Sequence, residues 1–395
     1  MAKYSIPYGR QTIDDDDINA VIETLKSDFM TQGPKISEFE RAVADFHNSR
    51  YAIAFSNGTS ALHGCYHACG IKPGEEFITS PITFAASANA GLYVGATPKF
   101  VDINSSNYCI DISSLEKSIT DRTRVITPVS FAGYPVNIKE IRNIIGDRKI
   151  TIIHDAAHAI GSLRDNAHVS ELADMTVLSF HPVKHVATGE GGMVLTDSED
   201  LRDKLSRFRT HGITKDPAHL SKNDGLWYYE MVELGFNYRI TDLQCALGIT
   251  QLKKLKKSLF RRNQIAYFYN KELSNISWLD IPDYDFDPSW VRDVSFENLN
   301  SFPANLHSYH LYPIKLKTPE LRLKLYDHLR DNGIFSQVHY IPLHLMPYYR
   351  NNFSFKDGDF PTAEDFYSKE LSLPMFPDLN DDQLEYIVDT IKDFR

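Results

Sequence analysis

Tyr51-Ala52-Ile53-Ala54-Phe55-Ser56-Asn57-Gly58-Thr59-Ser60-Ala61-Leu62-His63-Gly64-Cys65-Tyr66-His67-Ala68-Cys69 reads as a short apolar strand, a glycine-centred turn and a helix in direct succession. The strand covers residues 51–56 and the helix residues 61–69. The alternation recurs downstream. Strand-like runs at 76–80, 99–103, 124–130, 150–154, 175–180 and 192–196 are interleaved with helical segments at 84–94 and 138–145. This pattern predicts an α/β layered domain with a largely parallel sheet. Right-handed crossovers then bring loops from successive strands to a common edge, where ligands bind.

Working outward, the pattern changes at the basic stretch Leu252-Lys253-Lys254-Leu255-Lys256-Lys257-Ser258-Leu259-Phe260-Arg261-Arg262, which predicts a solvated helix linking two domains. Beyond it, aromatic-rich strand-like segments and a helix at 320–332 suit a smaller α+β domain, with a loop at 283–288. At 395 residues the chain exceeds a typical single core. The division read from it is a large domain at 12–250 and a small one at 251–395, with the segment 1–11 lying near the active site.

Composition narrows the function classes. A net charge of −10 argues against nucleic acid as a main partner, although a small anion needs only a few local donors. No apolar run reaches about eighteen residues, so no membrane span is expected. The start, with Lys3, Tyr4 and Ser5 before Ile6, lacks the apolar core of a signal peptide, and a cytoplasmic protein is the expectation. The four cysteines are too few for a disulfide framework. Cys65 and Cys69, with His63 and His67 nearby, read as a packing face, since no second pair at ligand spacing closes a metal shell. The run Asp14-Asp15-Asp16-Asp17 precedes Ile18, Val21, Ile22 and Leu25 at helical spacing and reads as the solvated start of a helix.

Four features carry chemistry. Ser179-Phe180-His181-Pro182-Val183-Lys184-His185 sets a lysine between a strand end and the Gly-rich turn Gly189-Glu190-Gly191-Gly192. A lysine becomes a nucleophile toward carbonyls when desolvation or nearby charge lowers its pKa. Asp155, in His154-Asp155-Ala156-Ala157-His158, ends an apolar strand and can pair with the protonated nitrogen of a bound aromatic ring. Gly58 lets the backbone approach closely, while Thr59 and Ser60 add hydroxyls to free amides that attract a phosphate. Phe84, in Pro81-Ile82-Thr83-Phe84, follows a strand end and can stack on a flat ring. Each has an ordinary structural explanation alone. In this order one site could use all four.

These residues resemble the DegT/DnrJ/EryC1/StrS family of sugar-nucleotide aminotransferases, within fold type I of the pyridoxal-phosphate enzymes. The likeness extends from Ile6-Pro7-Tyr8 through the stretches above to Gly235-Phe236-Asn237-Tyr238-Arg239, Val338-His339-Tyr340-Ile341-Pro342 and Leu371-Ser372-Leu373-Pro374. It implies a large three-layer α/β/α domain with a mostly parallel sheet, plus a smaller α+β C-terminal domain. It implies pyridoxal 5'-phosphate on Lys184, which would also move the proton, Asp155 on the pyridine nitrogen, Phe84 on the ring and His158 beside it. Gly58, Thr59, Ser60 and Ser179 would hold the phosphate with Asn237 of a neighbouring subunit, hence a homodimer with shared sites. His185 departs from the asparagine or proline usual after the lysine.

A finer resemblance, through Ser179 to Lys184, His339-Tyr340-Ile341-Pro342-Leu343-His344 and Ala363-Glu364-Asp365-Phe366-Tyr367, is to the C4 aminotransferases of pseudaminic acid biosynthesis. Those act on UDP-2-acetamido-2,6-dideoxy-β-L-arabino-hexos-4-ulose with L-glutamate as donor. By the same analogy Tyr8, Asp28, Phe29, Met30, Thr31, Thr59 and Ser179 would contact the sugar nucleotide. Three other readings stay open: a relative acting on another 3- or 4-keto sugar, a dehydratase of the same fold, and a non-catalytic regulator. The dehydratases carry histidine at the lysine position, and the regulators lack the aspartate or the lysine. Here Asp155 and Lys184 both stand.

Overall fold

Parallel strands buried on both faces need near-continuous apolar runs. The runs of this chain supply them. A computed structural model describes residues 3–394; Met1 and Ala2 of the expected N-terminal segment, and Arg395 at the end of the expected small domain, lie outside the described residues. Strands β1 (Tyr51–Phe55), β2 (Glu76–Thr79), β3 (Thr97–Phe100), β4 (Thr123–Thr127), β5 (Thr151–Asp155), β6 (Met175–Ser179) and β7 (Gly192–Thr196) form one sheet in the order β1-β7-β6-β5-β4-β2-β3. β7 runs antiparallel to both its neighbours, and the other adjacent pairs are parallel.

The helices are α1 (Asp15–Lys26), α2 (Pro34–Phe46), α3 (Gly58–Ala68), α4 (Ala86–Tyr93), α5 (Ile112–Ser118), α6 (Ile138–Ile145), α7 (Glu199–Phe208), α8 (Asp242–Leu273), α9 (Pro319–Asp331), α10 (Pro347–Phe353), α11 (Pro361–Lys369) and α12 (Asp381–Asp393). Alternation along the strands divides the core into two layers. Val177 and Val194 pack with Leu62, Tyr66 and Leu205 of α3 and α7, whereas Leu178, Met193 and Leu195 pack with Phe39 and Val43 of α2 and Leu255 and Leu259 of α8. Full burial of each such side chain stabilises the fold by about 1.5–3 kcal/mol. A third group of apolar residues, including Ile265, Tyr269, Ile314, Leu371 and Ile387, surrounds a separate antiparallel sheet of β8 (Leu279–Asp280), β9 (Tyr312–Leu316) and β10 (Glu370–Leu373). Ile6 and Pro7 pair in parallel with Ile334 and Phe335 in a separate two-stranded sheet, and Ile6 and Ile334 belong to this apolar group.

Three expectations need correction. The strand read at 99–103 lies at Thr97–Phe100. Val101 and Ile103 are buried, so the apolar pattern reported burial there and not ladder pairing. The basic stretch is no solvated linker. It is the middle of α8, a single 32-residue helix that runs through the expected boundary at 250, and Leu252, Leu255, Leu259, Phe260 and Arg262 are buried. Arg262 is spread across the carbonyls of Tyr309 and Met375, both at 3.0 Å. Nor is the whole acidic run solvated. Asp14 caps α1, Asp15 and Asp16 face solvent, and Asp17 is fully buried, accepting from Thr250 Oγ1 at 2.5 Å and Gln251 Nε2 at 2.8 Å and pairing with Lys254.

His63 Nδ1 lies 3.1 Å from the Tyr238 hydroxyl, and His67 pairs with Glu233 at 3.0 Å, so these histidines serve packing between α3 and the loop at 233–238. No helix among the described residues is long and apolar enough to cross a membrane.

Candidate active site

The sheet's topology decides which residues meet. β1, β2, β4, β5 and β6 share a direction, so the loops after them open on one edge. β7 begins at that edge. Gly192 is level with Phe55 of β1 and with Ser179 of β6. A Cβ on Gly192 would stand 2.4 Å from the Asn57 carbonyl oxygen, so only glycine lets the β1–α3 turn lie across this strand. A Cβ on Gly58 would meet Ser179 Cβ at 3.3 Å, which brings the two expected phosphate loops into contact.

Asp155 ends β5 and is 5% exposed. Its Oδ2 accepts from Ser87 Oγ at 2.6 Å and its Oδ1 from the Ala157 N–H at 3.1 Å. Thr83 Oγ1 lies 2.7 Å from the Ser87 hydroxyl and orients it. Burial pushes the Asp155 carboxyl upward, against the pull of Ser87, the Ala157 amide and the charge of Lys184. No salt bridge among the described residues includes Asp155. A buried carboxylate held by hydrogen bonds but lacking a cation in direct contact is matched to a cationic ligand atom.

Lys184 follows β6, half-buried, with its Nζ 3.2 Å from His310 Nε2 and no carboxylate in direct contact. Burial brings its amine down to about 7, Asp155 opposing the shift and the buried Arg262 adding to it. His310 is itself held neutral by burial, with Lys184 and neighbouring histidines adding to the effect. Its ring centroid lies 4.3 Å from that of His158. His158 Nε2 is 3.3 Å from the Tyr340 hydroxyl, and Nδ1 has no partner. Phe84 is 61% exposed and tilted toward Tyr340, their centroids 6.2 Å apart. An amine of depressed basicity, a cation-seeking carboxylate, an orphaned imidazole nitrogen and an open aromatic face suit a flat heterocyclic aldehyde such as pyridoxal phosphate.

Other expected residues fall in different places. The Ser60 hydroxyl donates to the Asn57 carbonyl at 2.8 Å and accepts from the Asn57 N–H at 3.1 Å, while the Ser60 N–H donates to Asn57 Oδ1. Ser60 therefore closes the capping box of α3. Gly58 and Thr59, at the first turn of α3, retain unused N–H groups. Asn237 is exposed and bridged to Thr210. Asp28, Phe29 and Met30 are exposed beyond α1, and Thr31 bridges Thr241. None of these five reaches Lys184 or Asp155 through a hydrogen bond within the chain. Tyr8 sits against His339, ring centroids 5.4 Å apart. His185 is buried, its Nε2 donating to the Ser308 carbonyl at 3.0 Å.

Ser87, His310 and Asn57 were not singled out in the sequence. Ser87 lies one helical turn beyond Phe84, and Asn57 directly precedes Gly58, so both had a local signal. His310, among His307-Ser308-Tyr309-His310, had none that ties it to a residue 126 positions away.

The model of the DegT/DnrJ/EryC1/StrS aminotransferase family matches residues 11–392. The uncharacterized protein MJ1066 of Methanocaldococcus jannaschii is 39% identical over 98% of this chain and 97% of its own. The UDP-4-amino-4,6-dideoxy-N-acetyl-beta-L-altrosamine transaminase of Campylobacter jejuni serotype O:2 is 37% identical over 98% of this chain and 96% of its own. Among solved structures, Helicobacter pylori PseC, an aminotransferase involved in the biosynthesis of pseudoaminic acid, superposes with a TM-score of 0.88 at 31% identity, covering 99% of both chains. The chain accordingly belongs to the DegT/DnrJ/EryC1/StrS aminotransferase family and is a pyridoxal-phosphate-dependent enzyme of fold type I.

Proposed function

We propose that this enzyme moves an amino group from L-glutamate to C4 of UDP-2-acetamido-2,6-dideoxy-β-L-arabino-hexos-4-ulose, giving UDP-4-amino-4,6-dideoxy-N-acetyl-β-L-altrosamine, in a homodimer whose subunits share their sites. The observation that carries the reading is the presence in one cluster of Lys184, an amine brought down to about 7, and Asp155, a buried carboxylate anchored by Ser87 and Ala157 whose charge acts on that amine without touching it. The likeness to the Campylobacter transaminase and to Helicobacter PseC supports the choice of sugar. When bound, the cofactor holds the amino group between the half-reactions and spreads the electron pair released at the substrate carbon.

The chain's own groups divide the remaining work. Lys184 attaches the cofactor, then carries a proton from the donor's α-carbon and later delivers one to C4 of the sugar. An amine poised near neutrality serves both directions. Asp155 keeps the ring nitrogen protonated, Phe84 covers one face, and His158 sits beside the ring with its free Nδ1. Gly58 and Thr59 amides, with Ser179 and the partner subunit's Asn237, hold the phosphate. Tyr8, Asp28, Phe29, Met30 and Thr31 face the sugar nucleotide.

The test is to incubate the purified holoenzyme with L-glutamate and a panel of UDP- and dTDP-linked 3-keto and 4-keto sugars, reading products by mass and NMR. Amination at C4 of the UDP-linked substrate with the stated stereochemistry is the expected result. Amination of another member of the panel only would move the enzyme to a different sugar and leave Lys184 and Asp155 in their roles.

A further inference from the structure

Behind the site, three buried side chains form a relay that the roles above do not use. Glu370 and Ser372 stand two apart on β10, so both project from the same face of the strand, and both are fully buried. Ser372 Oγ lies 2.5 Å from Glu370 Oε1 and 3.0 Å from His339 Nδ1. Glu370 Oε2 accepts from the His339 N–H at 2.8 Å. The carboxyl therefore holds His339 twice, by its backbone and, through Ser372, by its ring.

His339 joins the relay to the site. Its ring lies against Tyr8, centroids 5.4 Å apart, and the charge of Lys184 reaches it. The next residue, Tyr340, meets His158 and Phe84. With Nδ1 taken by Ser372, Nε2 is the nitrogen left for a ligand. It makes no hydrogen bond among the described residues, and the protein does not seal it off.

A hydroxyl has one hydrogen, so Ser372 cannot donate to both neighbours. When Glu370 is ionised, Ser372 donates to it, Nδ1 carries the ring hydrogen, and Nε2 accepts. When Glu370 is protonated, it donates to Ser372, Ser372 donates to Nδ1, and Nε2 carries the hydrogen. A carboxyl that is fully buried and forms no ion pair among the described residues keeps its proton. Burial pushes Glu370 up to about 8, against Ser372, the His339 amide and the charge of Arg322 on α9. Lys315, level with Glu370 on β9, and Lys369 are directed to Asp365 instead. His339, Tyr108 and Tyr340 are kept neutral by burial.

We propose that Glu370 and Ser372 are positioning residues that keep the ring hydrogen of His339 on Nε2, where it donates to an oxygen of the bound sugar nucleotide. The choice of ligand rests on the function proposed above, which gives Tyr8, the neighbour of His339, to that substrate. Ionisation reverses the relay. The proton of Glu370 passes to Ser372, that of Ser372 passes to Nδ1, and Nε2 releases its own to solvent, so a donor becomes an acceptor.

The test reads the ring and the kinetics separately. NMR of cofactor-free protein with isotope-labelled histidine nitrogens, His339 being assigned by its loss in His339→Gln, should find the hydrogen on Nε2 at neutral pH and on Nδ1 above pH about 8. Glu370→Gln keeps the shape of the acid. Its amide oxygen holds the His339 N–H, and its amide nitrogen donates to Ser372 at every pH. This variant should retain the Nε2 hydrogen throughout. In the holoenzyme, the KM for whichever keto sugar nucleotide is aminated should rise about tenfold as wild type passes above pH about 8, the upper scale of one lost hydrogen bond. In Glu370→Gln it should stay level, and in Ser372→Ala it should be raised about tenfold already at neutral pH. The glutamate half-reaction, followed by cofactor absorbance, should match wild type in both variants at each pH. A ring hydrogen on Nδ1 at neutral pH overturns the proposal. So does an alkaline rise that persists in Glu370→Gln, as packing alone would leave it, or a Ser372→Ala effect confined to the glutamate step. Amination of a different sugar, with the ring behaving as stated, would count against the proposed acceptor and not against the relay.

Discussion

An amine that stays protonated at neutral pH cannot attack a carbonyl, and one buried without a counter-charge loses its proton easily. Lys184 is placed so that the second effect removes the first. Burial brings its pKa from the ordinary 10.5 to about 7. Between those values the unfolded chain binds a proton that the folded chain lacks. This group's contribution to stability therefore rises as pH rises from about 7 toward 10.5, and its full cost is present below about 7. The same titration sets reactivity. The rate at which cofactor-free protein takes up pyridoxal phosphate should climb through pH about 7 and level off above it, followed by the absorbance of the bound form. Lys184→Ala should abolish both turnover and any borohydride-trapped label. A label mapped to another peptide in wild type would refute the assignment. Asp155 drew attention because it ends an apolar strand, where a polar residue is conspicuous, and Lys184 because it stands between a strand end and a Gly-rich turn. Their tuning was not legible: His310 and Arg262 arrive from the far side of the chain, and Ser87 is one small residue among several in α4.

Elements owe their placement to caps and clamps that local spacing reveals only in part. The capping box of Asn57 and Ser60 fixes the first turn of α3, where the free amides of Gly58 and Thr59 lie. Asn57→Ala should lower the unfolding free energy by about 0.5–2 kcal/mol in urea titrations, and should weaken cofactor retention on dialysis. A variant that is less stable yet holds the cofactor as tightly would separate the cap from the phosphate site. The strand series and the helix starts were readable since apolar runs, glycine turns and acidic first turns act over a few residues. Contacts across α1 and α8 were not, because Asp17 and Lys254 are 237 positions apart. The helical spacing of Ile18 and Leu25 located α1 and not its buried face: they are 48% and 53% exposed, and the buried side carries Asp17 and Thr24. Asp17→Ala would strip Lys254, Thr250 and Gln251 of their shared acceptor, a loss of about 1.5–3 kcal/mol for hydrogen bonds to a charged group. Asp16→Ala, on the exposed side of the same turn, should change stability by no more than about 0.5 kcal/mol.

At the scale of the whole molecule, several large apolar side chains stand exposed. Leu226 is 98% exposed, Trp227 74% and Leu234 73%, and Ile18, Ile22 and Leu25 form a stripe along α1. Where such side chains join into one patch they mark an association face. The segment at 226–234 leads directly into Asn237, which is exposed and makes no hydrogen bond to Lys184 among the described residues. In the proposed homodimer, a second copy seated on the segment at 226–234 would cover these side chains and receive Asn237 at its own site. Sedimentation equilibrium should find twice the 45.1 kDa chain mass in wild type, and the single chain in a Trp227→Asp, Leu234→Asp double variant. Sharing of sites has its own signature. Lys184→Ala retains Asn237, and Asn237→Asp, which would set a second negative charge beside the phosphate, retains Lys184. Unfolded together and refolded as a mixture, the two should recover turnover that neither shows alone, because one site of each mixed dimer has both native residues. Activity that never rises above that of the separate variants would mean that each chain builds its site from its own residues.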